Sequence, residues 1–359
     1  MQELDQIDKS RRRGRGAGSN RAGRFDLGRR DECDGWDIPE PRAGFPTRVA
    51  TEVPKSLITY NRSPDLPFDR SINPYRGCEH GCSYCFARPT HAFLGLSPGL
   101  DFETQLIARP TAPEVLAREL ASKRYRVAPI AIGTNTDPYQ PVEVKWQIML
   151  DCLQVLSDWN HPVAIVTKGV LIERDLDILA PMAARGLVRV GVSLTTLDPG
   201  LSRRMEPRAP SPARRLAMIR QLAKAGIPVR AMLAPIVPGL TDHELENLLA
   251  AAQEAGASAA SWIMLRLPRE VSALWQEWLA EHVPGRAGGV MRRLREMHGG
   301  RDYDANWGQR MRGQGLLADL IARRFKLAAR RLGMDASQPS LRCNLFAPPP
   351  RAGDQLALF

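Results

Sequence analysis

Residues 78–85 read Cys78-Glu79-His80-Gly81-Cys82-Ser83-Tyr84-Cys85. Three thiols within eight residues reach one centre only if the backbone loops around it, and Gly77 and Gly81 permit such a loop. A structural zinc site takes four ligands in paired knuckles. Here the fourth would be His80, His91 or a distant cysteine, because no second CxxC is present. A cubane iron–sulfur cluster has four irons, so three cysteines leave one iron without a protein ligand. An open coordination position is what a catalytic centre needs and a structural one avoids.

Outward from this triplet the pattern is regular. Residues 128–133, 162–167, 187–194, 227–234 and 259–265 are short, β-rich and almost continuously apolar, as strands buried on both faces of a parallel sheet are. Between them residues 113–125, 142–159, 171–185, 213–226 and 242–256 read as helices. Thr241 is the expected N-cap of the last, with Glu244 completing a capping box and Gly256 ending the helix. A first strand just before Cys78 makes six strand–helix units over about 200 residues. That predicts a partial (β/α)6 barrel, with its chemistry at the C-terminal strand ends.

The chain of 359 residues is 43% hydrophobic and 25% charged, which excludes a fibrous or wholly disordered protein. Four regions are expected: a lead-in over 1–50, the barrel over 51–267, a basic helical extension over 268–346, and a Pro-rich tether with an apolar tail over 347–359. The net charge of +11 sits at the flanks. Residues 1–30 carry nine basic and four acidic side chains, residues 286–331 twelve and four, and the rest is near neutral. Residues 9–30, rich in Gly and Arg, read as a disordered arm. Both flanks could attract a phosphate backbone, although only seven of the fifty basic residues are Lys, and an Arg bias also follows from codon composition. No run approaches the roughly 20 apolar residues of a membrane helix, and Met1–Asp8 holds three acids and no apolar core of a signal peptide. A cytoplasmic location is the expectation, with cysteines kept reduced and spaced for metal or catalysis.

The triplet, with an aromatic residue before its last cysteine and six strand–helix units around it, resembles the radical S-adenosylmethionine (SAM) superfamily. It is similar in particular to the branch related to spore photoproduct lyase. Residues 133–143 (GTNTDPYQPVE), 165–168 (IVTK), 193–196 (SLTT), 206–212 (EPRAPSP) and 234–239 (APIVPG) carry that likeness, which covers roughly residues 50–265. The resemblance implies a [4Fe–4S] cluster on Cys78, Cys82 and Cys85, with SAM on the open iron. One electron would cleave SAM to methionine and a 5′-deoxyadenosyl radical, which abstracts hydrogen from a substrate. It also implies a reducing partner of flavodoxin or ferredoxin type.

Four further residues are candidates for SAM contacts. Asp137 could accept from the SAM ammonium or ribose and Lys168 could pair with its carboxylate. Ser193 lies where family members place a SAM contact, and Tyr84 fits the position beside the adenine. Each has a plainer alternative: Asp137-Pro138 and Lys168-Gly169 are turn signals, and Ser193 packs a small side chain at a barrel mouth. Within 206–212, stiffened by three prolines, Arg208 could meet a carboxylate or phosphate. One departure matters. Spore photoproduct lyase places a hydrogen-donating cysteine near the end of its second strand, whereas residues 132–137 here read IGTNTD. Thymine-dimer repair therefore does not carry over. Cys152 lies in an apolar helix and reads as a core thiol. Cys33 and Cys343 are isolated, a weak basis for a second cluster.

The last five residues, Gln355-Leu356-Ala357-Leu358-Phe359, resemble the peptides by which bacterial replication and repair proteins dock on the DNA sliding clamp. An apolar tail packing on its own domain is the alternative. Nucleic acid is the first expectation for the substrate. The same chemistry on a protein or small molecule stands beside it, as does a non-catalytic nucleic-acid-binding module with a structural metal.

Overall fold

Six short strands, apolar and rich in β-branched residues except for the first, pair side by side with both faces largely covered. They are β1 (Arg70–Ile72), β2 (Ile130–Ile132), β3 (Val163–Thr167), β4 (Val188–Leu194), β5 (Val229–Ile236) and β6 (Ala259–Met264). The computed structural model describes residues 7, 12, 14–25, 45–336 and 338–349. In it the six strands form one parallel sheet in chain order, flanked beyond β1 by the antiparallel strand Thr59–Tyr60. Register aligns an apolar row: Ile72 with Ile132, Ile132 with Ile165, Ile165 with Val190, and Val190 with Val229. The sheet stays open, a partial barrel.

Helices α1 (Ala112–Leu120), α2 (Ile148–Asp158), α3 (Leu176–Ala184), α4 (Pro212–Lys224) and α5 (Leu245–Glu254) form the crossovers. Two boundaries differ from the sequence reading. The helix expected over 142–159 breaks at Gln147, whose φ is +54°. There the Glu143 carboxylate accepts from the amides of Met149 and Leu150 at 3.0 and 3.3 Å, and so caps α2 from outside its first turn. The capping box at Thr241 does not form. Its hydroxyl accepts from the Val237 amide at 2.9 Å, while Glu244 is drawn off by the Thr196 hydroxyl and the Leu197 amide, both at 2.6 Å.

Beyond the barrel come α6 (Glu270–His282), α7 (Pro284–Met297) and α8 (Leu316–Arg331). Trp275 and Trp278 on α6 stack at 4.7 Å and build a second apolar core with Leu265, Leu267 and Tyr84 at the mouth of the barrel. Trp307, by contrast, is exposed. Helix α8 packs on α5 and β6, with Phe325 against Trp262. The chain then crosses the opposite end of the barrel, where the amides of Arg342 and Ala347 donate to Gly186 and Trp159.

The N-terminal arm is the main correction. Residues 14–25 are not a free chain but a strap laid over the cysteine loop. The amides of Gly16 and Ala17 each donate to the buried Glu103 carboxylate at 2.8 Å. A Cβ on Gly16 would come within 1.6 Å of the Gly81 carbonyl oxygen, so only glycine passes there. Arg12, Arg21 and Arg24 pair with Glu281, Glu277 and Glu270, acids set at helical spacing on α6. Of the basic side chains expected to face a nucleic acid, Arg12, Arg15, Arg21 and Arg24 are instead engaged by the protein itself, and these contacts hold residues 14–25 against the fold. Cys33 and the tail Gln355, Leu356, Leu358 and Phe359 lie outside the described residues.

Candidate active site

The C-terminal ends of all six strands surround a cavity of about 250 Å³. Cys78, Cys82 and Cys85 line it after β1, Asp137 after β2, Lys168 after β3, Ser193 at the end of β4, Ala234 and Pro235 on β5, and Arg266 after β6. Every residue that the sequence singled out for metal or SAM thus reaches one chamber, Tyr84 included.

The cysteine loop is held from several directions. Gly77 and Gly81 adopt φ of +78° and +66°, the left-handed backbone the loop requires. Gln140, from the 133–143 motif, bridges it by donating to the Gly77 carbonyl and accepting from the Glu79 amide. Arg88, fully buried, donates twice to the Cys82 carbonyl, to the carbonyls of Pro98 and Gly99, and to Glu103. Arg208 pairs with Glu79 at 3.0 Å, and its amide donates to the His80 carbonyl. The proline-stiffened segment therefore braces the loop, and Arg208 is engaged rather than open to a substrate anion. Glu206 is the hub: it accepts from the Tyr84 hydroxyl, from the Thr195 hydroxyl at 2.8 Å and from Arg215.

The SAM candidates differ in what remains free. The Asp137 carboxylate accepts from the Thr167 hydroxyl, the Lys168 amide and the Tyr139 amide at 2.6–2.9 Å and faces His80 Nδ1 at 3.4 Å. Burial would raise its pKa, but His80 and these hydrogen bonds hold it down at about 2. With both oxygens engaged, it ties β2, β3 and the cysteine loop together. The Lys168 ammonium has no hydrogen-bond or ion-pair partner among the described residues; it sits 5.9 Å from the Tyr84 ring centroid. Burial opposes its charge, yet Cys82 and Glu206 raise its pKa. The Ser193 hydroxyl donates to the Ala234 carbonyl at 3.0 Å and keeps its lone pairs.

The donor set fits an iron–sulfur cluster with SAM. Burial pushes the Cys82 thiol up to about 12 and Cys78 well above its ordinary value, so the bare thiols are neutral and thiolates need a compensating cation. Among the described residues no three Cys, His, Asp or Glu gather round a single ion. A cubane places its cysteine sulfurs at separate irons, which suits three thiols that line one chamber without gathering round a single ion. Lys168 supplies the unpartnered cation that a ligand carboxylate requires. Cys152, completely buried on α2, is a core thiol, and Cys343 lies at the far end of the barrel. Sequence reasoning missed Arg88, Glu103, Gln140 and Arg215. Nothing in the local pattern of Arg88, Glu103 and Arg215 marks an interior charge, whereas Gln140 at least lies within the 133–143 motif.

Residues 72–252 match the model of the radical SAM superfamily, and the chain belongs to that superfamily. An uncharacterised protein of Mycobacterium tuberculosis, Rv2578c, is 40% identical over 235 residues, 65% of this chain and 68% of the relative. An uncharacterised protein of Methanocaldococcus jannaschii, MJ0683, is 25% identical over 173 residues, 48% of this chain and 62% of the relative. Among solved structures, spore photoproduct lyase complexed with dinucleoside spore photoproduct shares the fold. Its TM-score is 0.57, at 15% identity over 79% of each chain. A doubly substituted mutant of that lyase, with bound AdoMet and dinucleoside spore photoproduct, gives 0.54, at 15% identity over 79% of this chain and 78% of that one. Membership implies a [4Fe–4S] cluster and SAM. Among the described residues no helix is long and apolar enough to cross a membrane.

Proposed function

We propose that the protein is a radical SAM enzyme that abstracts hydrogen from a nucleotide unit of a nucleic acid. One observation carries the reading: three thiols, a free ammonium and a serine hydroxyl share one chamber at the strand ends. Cys78, Cys82 and Cys85 would hold the cluster, and Lys168 would meet the SAM carboxylate. Tyr84, fixed by Glu206, and Ser193 would line the nucleoside side. When bound, the cluster supplies the electron that splits SAM into methionine and a 5′-deoxyadenosyl radical, which takes hydrogen from the substrate.

The chain's own part is to orient and to exclude. Met232, Ile263, Met264 and Met311 give the chamber an apolar wall that keeps water from a reactive intermediate. Asp137 fixes the loops that carry Lys168 and the cysteines. An external donor of flavodoxin or ferredoxin type would supply the electron.

Nucleic acid as substrate is supported by the dinucleoside ligand of the fold neighbour. The exposed Arg323, Lys326, Arg330 and Arg331 on α8 also favour it, having no acid partner among the described residues. Dimer repair by cysteine hydrogen donation is not part of the proposal, since no fourth cysteine among the described residues lines the chamber. Clamp docking through residues 355–359 would deliver the enzyme to DNA and is tested by clamp pull-down with and without the tail. The test of the chemistry is anaerobic reconstitution with iron and sulfide, reduction with dithionite and assay for 5′-deoxyadenosine. Wild type forms product and Cys82→Ala does not. A chain that binds one zinc and leaves SAM intact overturns the proposal.

A further inference from the structure

A second cavity, of about 490 Å³, lies against the first and shares Phe68, Phe86, Asn135, Arg266 and Met311 with it. It is lined by four arginines and no acid. Three of the four are compensated from behind the wall: Arg76 and Arg109 share Glu52 at 3.3 and 3.0 Å, and Arg310 pairs with Asp65 at 2.7 Å. Arg266 is different. Among the described residues nothing accepts a hydrogen bond from its guanidinium or ion-pairs with it. It is instead held 4.1 Å from the centroid of Phe86, the residue next to Cys85. A half-buried guanidinium without a hydrogen-bonded anion is costly to keep, and its place over an aromatic ring leaves its N–H donors without a protein acceptor among the described residues.

We infer that this second cavity is the nucleotide subsite of the enzyme, in which Arg266 takes a phosphodiester of a single strand and the aromatic wall takes the adjoining base. The assignment rests on the nucleic-acid reading above and goes beyond it by naming the contact. The guanidinium fork matches two phosphate oxygens, and base stacking on aromatic side chains tolerates any sequence. Phe86 and Phe93 are 41% and 67% exposed at the rim, which suits a chain that continues past the cavity rather than an enclosed metabolite. A nucleotide placed there adjoins the chamber where hydrogen would be taken.

The test uses the reconstituted full chain, a fluorescent single-stranded dodecadeoxynucleotide read by anisotropy, and wild type beside Arg266→Ala, Arg266→Lys and Phe86→Ala. Arg266→Ala should weaken binding about 10- to 100-fold and lower the slope of log K against log salt by about 0.7, one phosphate on a single strand. Arg266→Lys should restore the slope but only part of the affinity, because the fork is lost. Phe86→Ala should weaken binding with the slope unchanged. Arg266→Ala with wild-type affinity and slope overturns the subsite while the nucleic-acid reading stands. A wild type that binds no oligonucleotide overturns that reading itself. If Arg266→Ala alters only the SAM requirement, the residue belongs to the first cavity and the inference fails. A mononucleotide that displaces the oligonucleotide at equal concentration moves the site to free nucleotides and overturns the strand assignment.

Discussion

The two ends of the barrel use the same kinds of residue in opposite ways. At the C-terminal strand ends three thiols, the Lys168 ammonium and the Arg266 guanidinium face open cavities, and the two cations have no hydrogen-bond or ion-pair partner among the described residues. At the N-terminal ends the polar groups are closed off. His161 sits between the Pro162 carbonyl at 2.9 Å and the Tyr125 hydroxyl at 2.7 Å, and Phe346 packs against Trp159, Tyr125 and His161. Cations held at a cavity wall without a protein partner are available to a ligand, so the placement of Lys168 and Arg266 at one end points to a use for them there. Behind the mouth the accounts do close: Arg88–Glu103 and Arg215–Glu206 are completely buried pairs that hold the open groups in place.

The largest effect should come from the mouth. Cys82→Ala removes an iron ligand, so the reconstituted protein should lose its cluster iron and all SAM cleavage, as read by iron and sulfide analysis and by 5′-deoxyadenosine. A variant with full iron content would show that the mouth is not a cluster site. Next, Arg88→Met leaves Glu103 buried without its cation and should cost about 3–5 kcal/mol in urea unfolding of the apo chain. The double change Arg88→Met, Glu103→Leu should recover part of that loss. It should not recover all, because the Gly16 and Ala17 amides also lose their acceptor. A single variant as stable as wild type would mean that the strap and the loop are not coupled through this pair.

The contrast between the ends explains what the sequence made legible. Strand positions were readable because both-face burial leaves runs such as residues 187–194 with almost no polar residue. The ligands were readable because three cysteines in eight residues have few other uses. The strap was not. Residues 9–30 have the composition of a disordered segment, and the placement of the described part, residues 14–25, depends on Glu270, Glu277 and Glu281, some 250 residues away. Nor was Arg208, whose partner Glu79 lies across the loop. Local pattern carries periodicity and spacing; it does not carry long-range charge compensation.

The closed end makes its own prediction. Burial holds the His161 pKa at about 4, against an ordinary 6.5. The unfolded chain then binds a proton that the folded chain refuses between pH 6.5 and 4, so stability falls as pH drops through that window, by about 3 kcal/mol from this residue. His91 and His298 are lowered too and add to the slope. His161→Gln should remove its share, read as a flatter plot of unfolding free energy against pH. Glu206, held near 2 by Arg215 and Lys168 against the effect of burial, contributes stability that is present above its ordinary 4.5 and lost only below that. At the mouth, Lys168→Ala should raise the SAM concentration for half-saturation about 10- to 100-fold in equilibrium dialysis of the reconstituted protein. Its cluster iron should stay at the wild-type value. Unchanged SAM binding would leave Lys168 a strand-end residue and nothing more.

The smallest expected effect sharpens the comparison most. Cys343 is half-buried, with its sulfur 3.9 Å from the Leu341 carbonyl, on the segment that crosses the closed end. The amide of its neighbour Arg342 donates to Gly186, just before β4, whereas Cys78, Cys82 and Cys85 lie past the other ends of the strands. A parallel sheet separates them, so Cys343 cannot ligate the same centre as the triplet. Cys343→Ser should change stability by no more than about 0.5 kcal/mol, as surface substitutions usually do, and leave iron, sulfide and 5′-deoxyadenosine formation at wild-type values. Loss of iron in that variant would require a second metal site at the closed end, and the division of labour between the two ends would fall with it.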